Sequence, residues 1–377
     1  MTDGRPQIDL SRTVAARRLS PLRGLAVSVL GLAIVMTAIV WFAARSGRVT
    51  AAPPAPRPPM VTAETEAAIA KAVAYLAAKQ NSDGSWRNEG SYGSYPVTMT
   101  ALCGLALTSS GSTPTQGQHA PQLRKAVNYL VRSSQRNGLI CRRGEEESRS
   151  MYGHGFGMLF LSEIYGMEED EERLNQIRWV LQKGVELTGK SQSRLGGWLY
   201  TPDMDGDEGS VTVTQVQALR SARNAGIAVP KKVIDNAMSY LDKSVLTDGG
   251  IAYRVGMTDS RPPITAAAVV CWFNAGQYDS PLAKNALQYC KNRISVRGAQ
   301  DAIWGHFFYT HLYMAQAMYL AGDKDWNDYY PKIRDHLLHS QNDDGSWDGD
   351  SVGRVYGTAI GLIILEIPYA RLPIMQR

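Results

Sequence analysis

YLAAKQNSDGSW at residues 75–86 and HLLHSQNDDGSW at residues 336–347 follow one pattern. Each has a leucine, a glutamine four positions later, a glycine four positions after that, and a tryptophan two positions further on. Partial copies stand at 129–138, 191–198 and 240–250. We expect the glutamine to bond backbone groups at a helix end, the glycine to permit a tight turn, and the tryptophan to lie over the neighbouring repeat. The pattern therefore predicts a recurring loop between the helices of a repeat protein.

Helical segments of two kinds alternate on either side of these loops. The apolar kind ends five times in a glycine, at intervals of 46 to 60 residues, as expected where a left-handed residue closes a helix. The second kind has a single apolar stripe, like that of Leu174, Ile177, Leu181 and Val185. The apolar segments are approximately 97–110, 151–165, 210–225, 265–275, 306–321 and 353–367. The amphipathic ones are approximately 64–79, 121–134, 170–188, 231–244, 281–293 and 328–340.

Helices that are apolar all round must be buried, whereas one-faced helices form an outer layer. Six of each kind predict two concentric rings, an all-α α/α toroid of about six helical hairpins over residues 64–377. An open solenoid of helix pairs is the alternative, and the sequence leaves both open.

The N-terminal part predicts a membrane anchor. Residues 25–44 are uncharged and long enough to cross a hydrocarbon core of roughly 30 Å. Five arginines precede them, which predicts a cytoplasmic basic tail at 1–24, and a proline-rich linker follows at 45–63. We therefore expect a single-pass membrane protein whose C-terminal domain is extracytoplasmic, in the periplasm of a Gram-negative-type bacterium. A cleaved signal peptide is the alternative.

Charge and cysteine content exclude several functions. The chain of 377 residues carries a formal net charge of +5, but residues 1–59 alone carry +6, so the remainder is at −1. The body therefore has no electrostatic basis for binding nucleic acid. Four cysteines, none in a CxxC pair, predict neither a disulfide scaffold nor a zinc ribbon. We expect no metal and no cofactor, and the sequence indicates no oligomeric state.

The repeated loop resembles the QW repeat of squalene and oxidosqualene cyclases and their relatives, which include the β subunits of protein prenyltransferases. The final segment, VYGTAIGLIILEIPYARLPIMQR, resembles the end of bacterial membrane-tethered toroids of undefined chemistry. The resemblance covers about residues 64–377 and implies an α/α toroid. The zinc motif of the prenyltransferases, Asp-x-Cys, is absent from this sequence.

In class II terpene cyclases a D-x-D-D motif follows a GGW turn and opens an inner helix. This sequence has GGWLYTPDMDGDEGS at 196–210, with Asp205, Asp207 and Glu208 at the matching place as D-x-D-E. The resemblance implies that Asp207 is a proton donor assisted by Asp205 and Glu208. Neighbouring carboxylates or burial could keep such a carboxyl protonated. The alternatives are a solvated acidic loop and a calcium site, since Asp203, Asp205 and Asp207 keep a D-x-D-x-D spacing.

Aromatic side chains of the inner helices predict a central cavity for an isoprenoid or other apolar ligand. The predicted lining is Tyr152, Phe156, Trp272, Phe273, Tyr309, Tyr313 and His306. The sequence thus favours a membrane-anchored toroid that binds, or cyclises by acid-initiated chemistry, an isoprenoid lipid. A non-catalytic binding or assembly module of the bacterial envelope, built on the same toroid, is the alternative.

Overall fold

A computed structural model describes residues 57–296 and 306–376, and within these ranges the regular structure is helical. Isolated β-bridges occur only in the turns, and the described residues contain no named strand. The helices are α1 Ala63–Lys79, α2 Pro96–Ser109, α3 Ala120–Ser133, α4 Ser150–Tyr165, α5 Glu171–Lys190, α6 Gly209–Asn224, α7 Lys231–Lys243, α8 Pro262–Asn274, α9 Pro281–Arg293, α10 Phe307–Ala321, α11 Asp323–Ser340 and α12 Arg354–Glu366.

The helices form two layers, as their sequences predict. Every residue of α2 is buried, and the other even-numbered helices are buried on nearly all sides. The odd-numbered helices bury one face, and in α7 only Ala237, Met238, Tyr240 and Leu241 are buried. The even-numbered helices therefore form an inner ring and the odd-numbered helices an outer ring.

The ring is closed rather than open. Gln341 follows α11 and donates from Nε2 to the carbonyl oxygen of Ala68 in α1, at 2.9 Å. Gly345 packs so closely on α1 that an added Cβ would lie 2.5 Å from the carbonyl oxygen of Lys71. The last inner helix, α12, also packs against α1 and α2. The α/α toroid is thereby confirmed over the solenoid.

The repeated loops have one architecture. Trp86, Trp198 and Trp347 are buried, and each indole Nε1 donates to a carbonyl near the end of the preceding outer helix, at 2.7 to 2.9 Å. The backbone amide of each tryptophan donates to a threonine hydroxyl of the next inner helix. The tryptophan thus joins the two helices of one hairpin. The glutamine reaches the neighbouring hairpin, as when Gln192 donates to the carbonyl of Val233 at 2.9 Å.

One end of the inner ring is covered by the C-terminal segment, residues 367–376. Arg371 donates to the carbonyl of Ser109 at the end of α2, and the amide of Ile374 donates to Glu163 of α4. Ile374 and Met375 of this segment are buried. Since the segment also packs against α6 and α10, it crosses the ring at the C-terminal ends of the inner helices.

No helix of the described residues is long and apolar enough to cross a membrane. The predicted basic tail and anchor, residues 1–44, lie outside the described residues, as does most of the linker. The toroid begins at α1, whose N-cap Thr62 forms a capping box with Thr65.

Candidate functional site

A cavity of about 290 Å³ lies at the N-terminal ends of the inner helices, opposite the C-terminal segment. All six inner helices contribute to its wall, each through its first two turns or so. The lining comprises Thr98, Met99, Leu102, Tyr152, Phe156, Ser210, Pro263, Ile264, Tyr309, Tyr356 and Ile360 from the helices, with Tyr92, Tyr95, Arg149, Tyr253, Arg261, His306 and Val352 from the segments that precede them. The wall is therefore mainly aromatic and aliphatic, and its polar groups come mostly from the preceding segments.

Four of the seven predicted lining residues reach this cavity: Tyr152, Phe156, Tyr309 and His306. Tyr152 and Tyr309 both approach Ser210, since the Tyr152 hydroxyl lies 2.6 Å from Ser210 Oγ and the Tyr309 hydroxyl donates to the Ser210 carbonyl. Burial raises the pKa of both phenols well above the ordinary value, so both are protonated donors at neutral pH.

The other three predicted lining residues do not face the cavity. Trp272 turns toward the outer ring, where its Nε1 donates to Asp242 of α7 at 2.9 Å. Phe273 lies near the far end of α8 and stacks on Tyr278. Tyr313 is one turn deeper than Tyr309, which packs edge-on against it with 5.0 Å between ring centroids. Each is a packing residue, so the prediction that it lines the cavity is wrong. An inner helix that is apolar on all sides does not show in its sequence which side faces the axis.

The acidic motif does not place a carboxylate in the cavity wall. Asp205 is exposed on the loop before α6. Asp207 is buried, but its Oδ2 accepts from Ser193 Oγ at 2.7 Å, and its Cβ lies beside Gly197 of the repeated turn. Asp207 therefore faces the loop that follows the outer helix, not the axis.

Glu208 is the N-cap of α6. Its carboxylate accepts from the amides of Ser210 and Val211, at 2.7 and 2.6 Å, and from the Ser210 hydroxyl at 2.8 Å. Burial raises the pKa of Glu208, and these hydrogen bonds oppose the rise. Through Ser210, whose hydroxyl also contacts Tyr152, this carboxyl is connected to the cavity wall without lining it.

The loop before Asp207 is held by its own hydrogen bonds. Thr201 donates its hydroxyl to Asp203, and the amide of Asp205 approaches the other carboxylate oxygen of Asp203 at 3.4 Å. Among the described residues, no group of three histidine, cysteine or acidic side chains is arranged to hold a metal ion. The four cysteines are buried and unpaired.

Five of the six inner helices begin in one of two ways around the cavity, and the sixth, α12, follows Gly353. Carboxylates bond the first amides of three of them: Glu146 accepts from the amide of Val97 in α2, Glu208 caps α6, and Asp350 accepts from the amide of Phe308 in α10. Arginine occupies the N-cap position of two others, Arg149 before α4 and Arg261 before α8. Both arginines line the cavity, and sequence reasoning missed them. The sequence feature that could have identified them is an arginine directly before an apolar helix.

Two tyrosines connect these arginines. The guanidinium of Arg149 lies 4.8 Å from the ring centroid of Tyr200, and the Tyr200 hydroxyl is hydrogen-bonded to that of Tyr253. Arg261 lies 5.7 Å from the Tyr253 ring. The arginines and tyrosines thus form one continuous strip along the mouth of the cavity.

No protein-family model and no curated protein matches this sequence. Solved structures do match its fold. The type II terpene cyclase MstE from Scytonema, in complex with merosterolic acid A, is 16% identical over 81% of this chain and 97% of its own, with a TM-score of 0.56. The GH76A α-1,6-mannanase of Salegentibacter sp. HEL1_6 is 11% identical over 82% of this chain and 99% of its own, with a TM-score of 0.60.

A protein from Actinoplanes is 17% identical over 81% of this chain and 99% of its own, with a TM-score of 0.56. The cyclase and the mannanase are α/α toroids related to the squalene cyclase superfamily. At these identities the similarity establishes the fold, and the predicted toroid is confirmed. The similarity does not identify a ligand for this chain.

Proposed function

We propose that the axial cavity binds an isoprenoid-class apolar ligand. The observation that carries this proposal is the wall itself, in which Met99, Leu102, Phe156, Ile264 and Ile360 surround a space of about 290 Å³. Apolar walls with a few placed polar groups are typical of small-molecule sites. The terpene cyclase of the same fold has been solved with geranylgeranyl dihydroxybenzoate, an isoprenoid substrate, which supports the choice of ligand class.

Glycoside hydrolysis, suggested by the mannanase of the same fold, fits this cavity poorly. Such enzymes act through a pair of carboxyl groups on either side of the scissile bond. Among the described residues that line the cavity there is no aspartate and no glutamate. The wall therefore favours an apolar ligand over a sugar.

Acid-initiated cyclisation is the second candidate, favoured by one observation, the chain of hydrogen bonds from Tyr152 through Ser210 to Glu208. Protonating an alkene requires a strong acid. A carboxyl group whose pKa is raised by burial is a weaker acid than usual, and a phenol is weaker still. Asp207, the expected donor, is directed to Ser193. The geometry thus supports ligand binding better than acid-initiated chemistry.

The test is binding of radiolabelled geranylgeraniol, a neutral isoprenoid, to the full-length protein. Ile360→Phe and Ile264→Phe add bulk to the cavity wall, so each should weaken binding at least about fivefold. Ile69→Phe, on the partly exposed face of α1, is the matched control and should bind like wild type. Absence of binding, or equal binding by all three variants, would overturn the proposal.

We further propose that this toroid lies outside the cytoplasm, anchored by residues 25–44. The support is the arginine-rich segment before the apolar stretch and the proline-rich linker after it. A phosphatase reporter fused after Arg377 should be active only if it has been exported. Activity of a cytoplasm-specific reporter at the same position would refute this orientation, and a shortened soluble mature chain would indicate a cleaved signal peptide.

A further inference from the structure

We propose that the toroid has a second binding site, at the opposite end from the axial cavity, which takes a carboxylate carried on a short aliphatic stem. The site lies between the C-terminal parts of the inner helices α6 and α8 and the outer helix α7. None of its described lining residues lines the axial cavity, so this inference stands apart from the proposed function.

The site is a narrow cavity of about 30 Å³, which is close to the share of one water molecule in the liquid. Val216 of α6 and Ile234 and Met238 of α7 form the apolar part of its wall. A space of this size admits one small group of a ligand, while the rest of the ligand stays outside.

Two side-chain amides that line this cavity have no group to accept their hydrogen atoms. Gln217 is 3% exposed, and its Nε2 has no hydrogen-bond partner among the described residues. The same is true of Nδ2 of Asn274, the last residue of α8. Buried polar groups are normally paired, and an unpaired one costs free energy. Two unpaired donors in the wall of one small cavity therefore indicate that an acceptor binds there.

An arginine beside these amides is also without a partner. Arg220 is half-buried, and it makes no hydrogen bond, ion pair or aromatic contact with any described residue. It follows Gln217 by three positions on α6, which places the two Cβ atoms about 5–6 Å apart on one face of the helix. Arg223, a further turn along, lies exposed at the edge of the cavity, and the described lining contains no aspartate or glutamate. The acceptor is therefore expected to be an anion.

Two simpler explanations account for only part of this arrangement. The C-terminal end of a helix favours a positive charge, which explains arginines near the end of α6 but not the unpaired neutral amides. A water molecule would bond the amides but would leave the charge of Arg220 without a counter-ion. A carboxylate satisfies both, since it only accepts hydrogen bonds and carries one negative charge. Its planar group and aliphatic stem also suit a narrow, partly apolar cavity better than a phosphate, which presents oxygen atoms on all sides.

The experiment measures the binding of butyrate to the full-length protein by ligand-observed NMR titration in a carboxylate-free buffer. Wild type should bind butyrate, and Arg220→Gln and Gln217→Met should each weaken this binding at least about tenfold. Arg136→Gln is the matched control, because Arg136 is exposed on another turn and is also unpaired among the described residues. Ile360→Phe, in the axial cavity, should bind butyrate like wild type, so that failure of this inference and failure of the proposed function are distinguishable.

A second arm identifies the source of the carboxylate. A blocked peptide with a single glutamate is compared with the same peptide containing glutamine. Tighter binding of the glutamate peptide than of butyrate would support an acidic side chain of a protein as the ligand, and the reverse would support a free small carboxylate.

The melting temperature without ligand separates this site from a purely structural role of the amide. Gln217→Met replaces an unpaired amide by an apolar side chain of similar size, so it should keep or raise the melting temperature. A lower melting temperature would show that the amide bonds a structural water and would overturn the site. Absence of binding by both probes, or equal binding by wild type and Arg220→Gln, would overturn it as well.

Discussion

Gln341 and Ala68, which are 273 residues apart, are joined by a hydrogen bond from the side-chain amide to the backbone carbonyl. The same amide donates to the carbonyl of Gly345, so one side chain both shapes the last repeated turn and attaches it to the first outer helix. Gln80 and Gln192 each make the corresponding pair of bonds, one to the glycine carbonyl of their own turn and one to a carbonyl of the next outer helix. The closing contact is therefore the ordinary contact between hairpins, applied to the first and last of them.

We expect Gln341→Ala to lower the free energy of unfolding by about 1–3 kcal/mol, because two carbonyl groups lose a donor. Urea denaturation followed by circular dichroism measures this. Gln288→Ala is the control, since Gln288 is exposed on α9 and bonds only a neighbouring side chain. Equal stability of the two variants would show that the ring does not depend on this closure.

Trp347→Ala should cost about 3–5 kcal/mol, the usual loss for a buried tryptophan. The indole is 1% exposed, packs against Gly361 of α12, and donates to the carbonyl of Leu337. Trp179→Ala is the control, because that side chain is 45% exposed on α5. A melting temperature for Trp347→Ala like that of wild type would show that the repeated turn is not a structural element.

Asp207→Asn separates the three interpretations of the acidic motif. Because Asp207 faces Ser193, whose hydroxyl can donate to an amide oxygen as well, we expect a loss of about 1 kcal/mol or less and unchanged ligand binding. An acid catalyst would instead lose all turnover of squalene-like substrates. A calcium ligand would lower the melting temperature in calcium but not in chelator.

Stability should fall as the pH rises from about 5 to 8, and Glu366 should be a main cause. Burial raises the pKa of Glu366 to about 8 from its ordinary 4.5, so the folded state holds a proton that the unfolded state releases in this interval. One such group lowers the free energy of unfolding by about 1.4 kcal/mol per pH unit between these two values. The stabilisation is complete below the lower value and is lost as the pH passes the upper one.

Glu366→Gln should flatten this dependence, since its amide cannot ionise. Chemical denaturation at pH 5, 6, 7 and 8 gives the slope, and Glu172→Gln, at an exposed position on α5, serves as the control. A slope unchanged by Glu366→Gln would rule out this carboxyl as its source. Glu146, whose pKa burial raises to about 7, would then be the next group to examine.

The toroid was predictable because its two kinds of helix differ in sequence. The stripe of Ile177, Leu181 and Val185 identifies an outer helix, and all three residues are buried on one face of α5. The glutamine of the repeated turn bonds backbone groups as predicted, but it is the glutamine that reaches the neighbouring hairpin, whereas the tryptophan, expected there, joins the two helices of its own hairpin. These features depend on local pattern, which a single sequence carries in full.

The site was only partly predictable, because the side chains that face the axis are decided by the packing of the hairpins and not by local pattern. An inner helix that is apolar all round has no polar stripe to show which side faces the axis, so Trp272 and Tyr309 looked equivalent although only Tyr309 reaches the cavity. Asp207 and Glu208 are adjacent, yet the extended backbone at the N-cap sends their side chains to opposite neighbours. Arg149 and Arg261 are distant in sequence, and they line one cavity only because the fold brings the N-terminal ends of the six inner helices together.

The C-terminal segment, which bonds Ser109 through Arg371 and Glu163 through Ile374, lies across the end of the inner ring opposite the axial cavity. We therefore expect a ligand to enter and leave the axial cavity at the same end of the ring, the N-terminal ends of the inner helices. A bound ligand would then have to leave before a second one could enter.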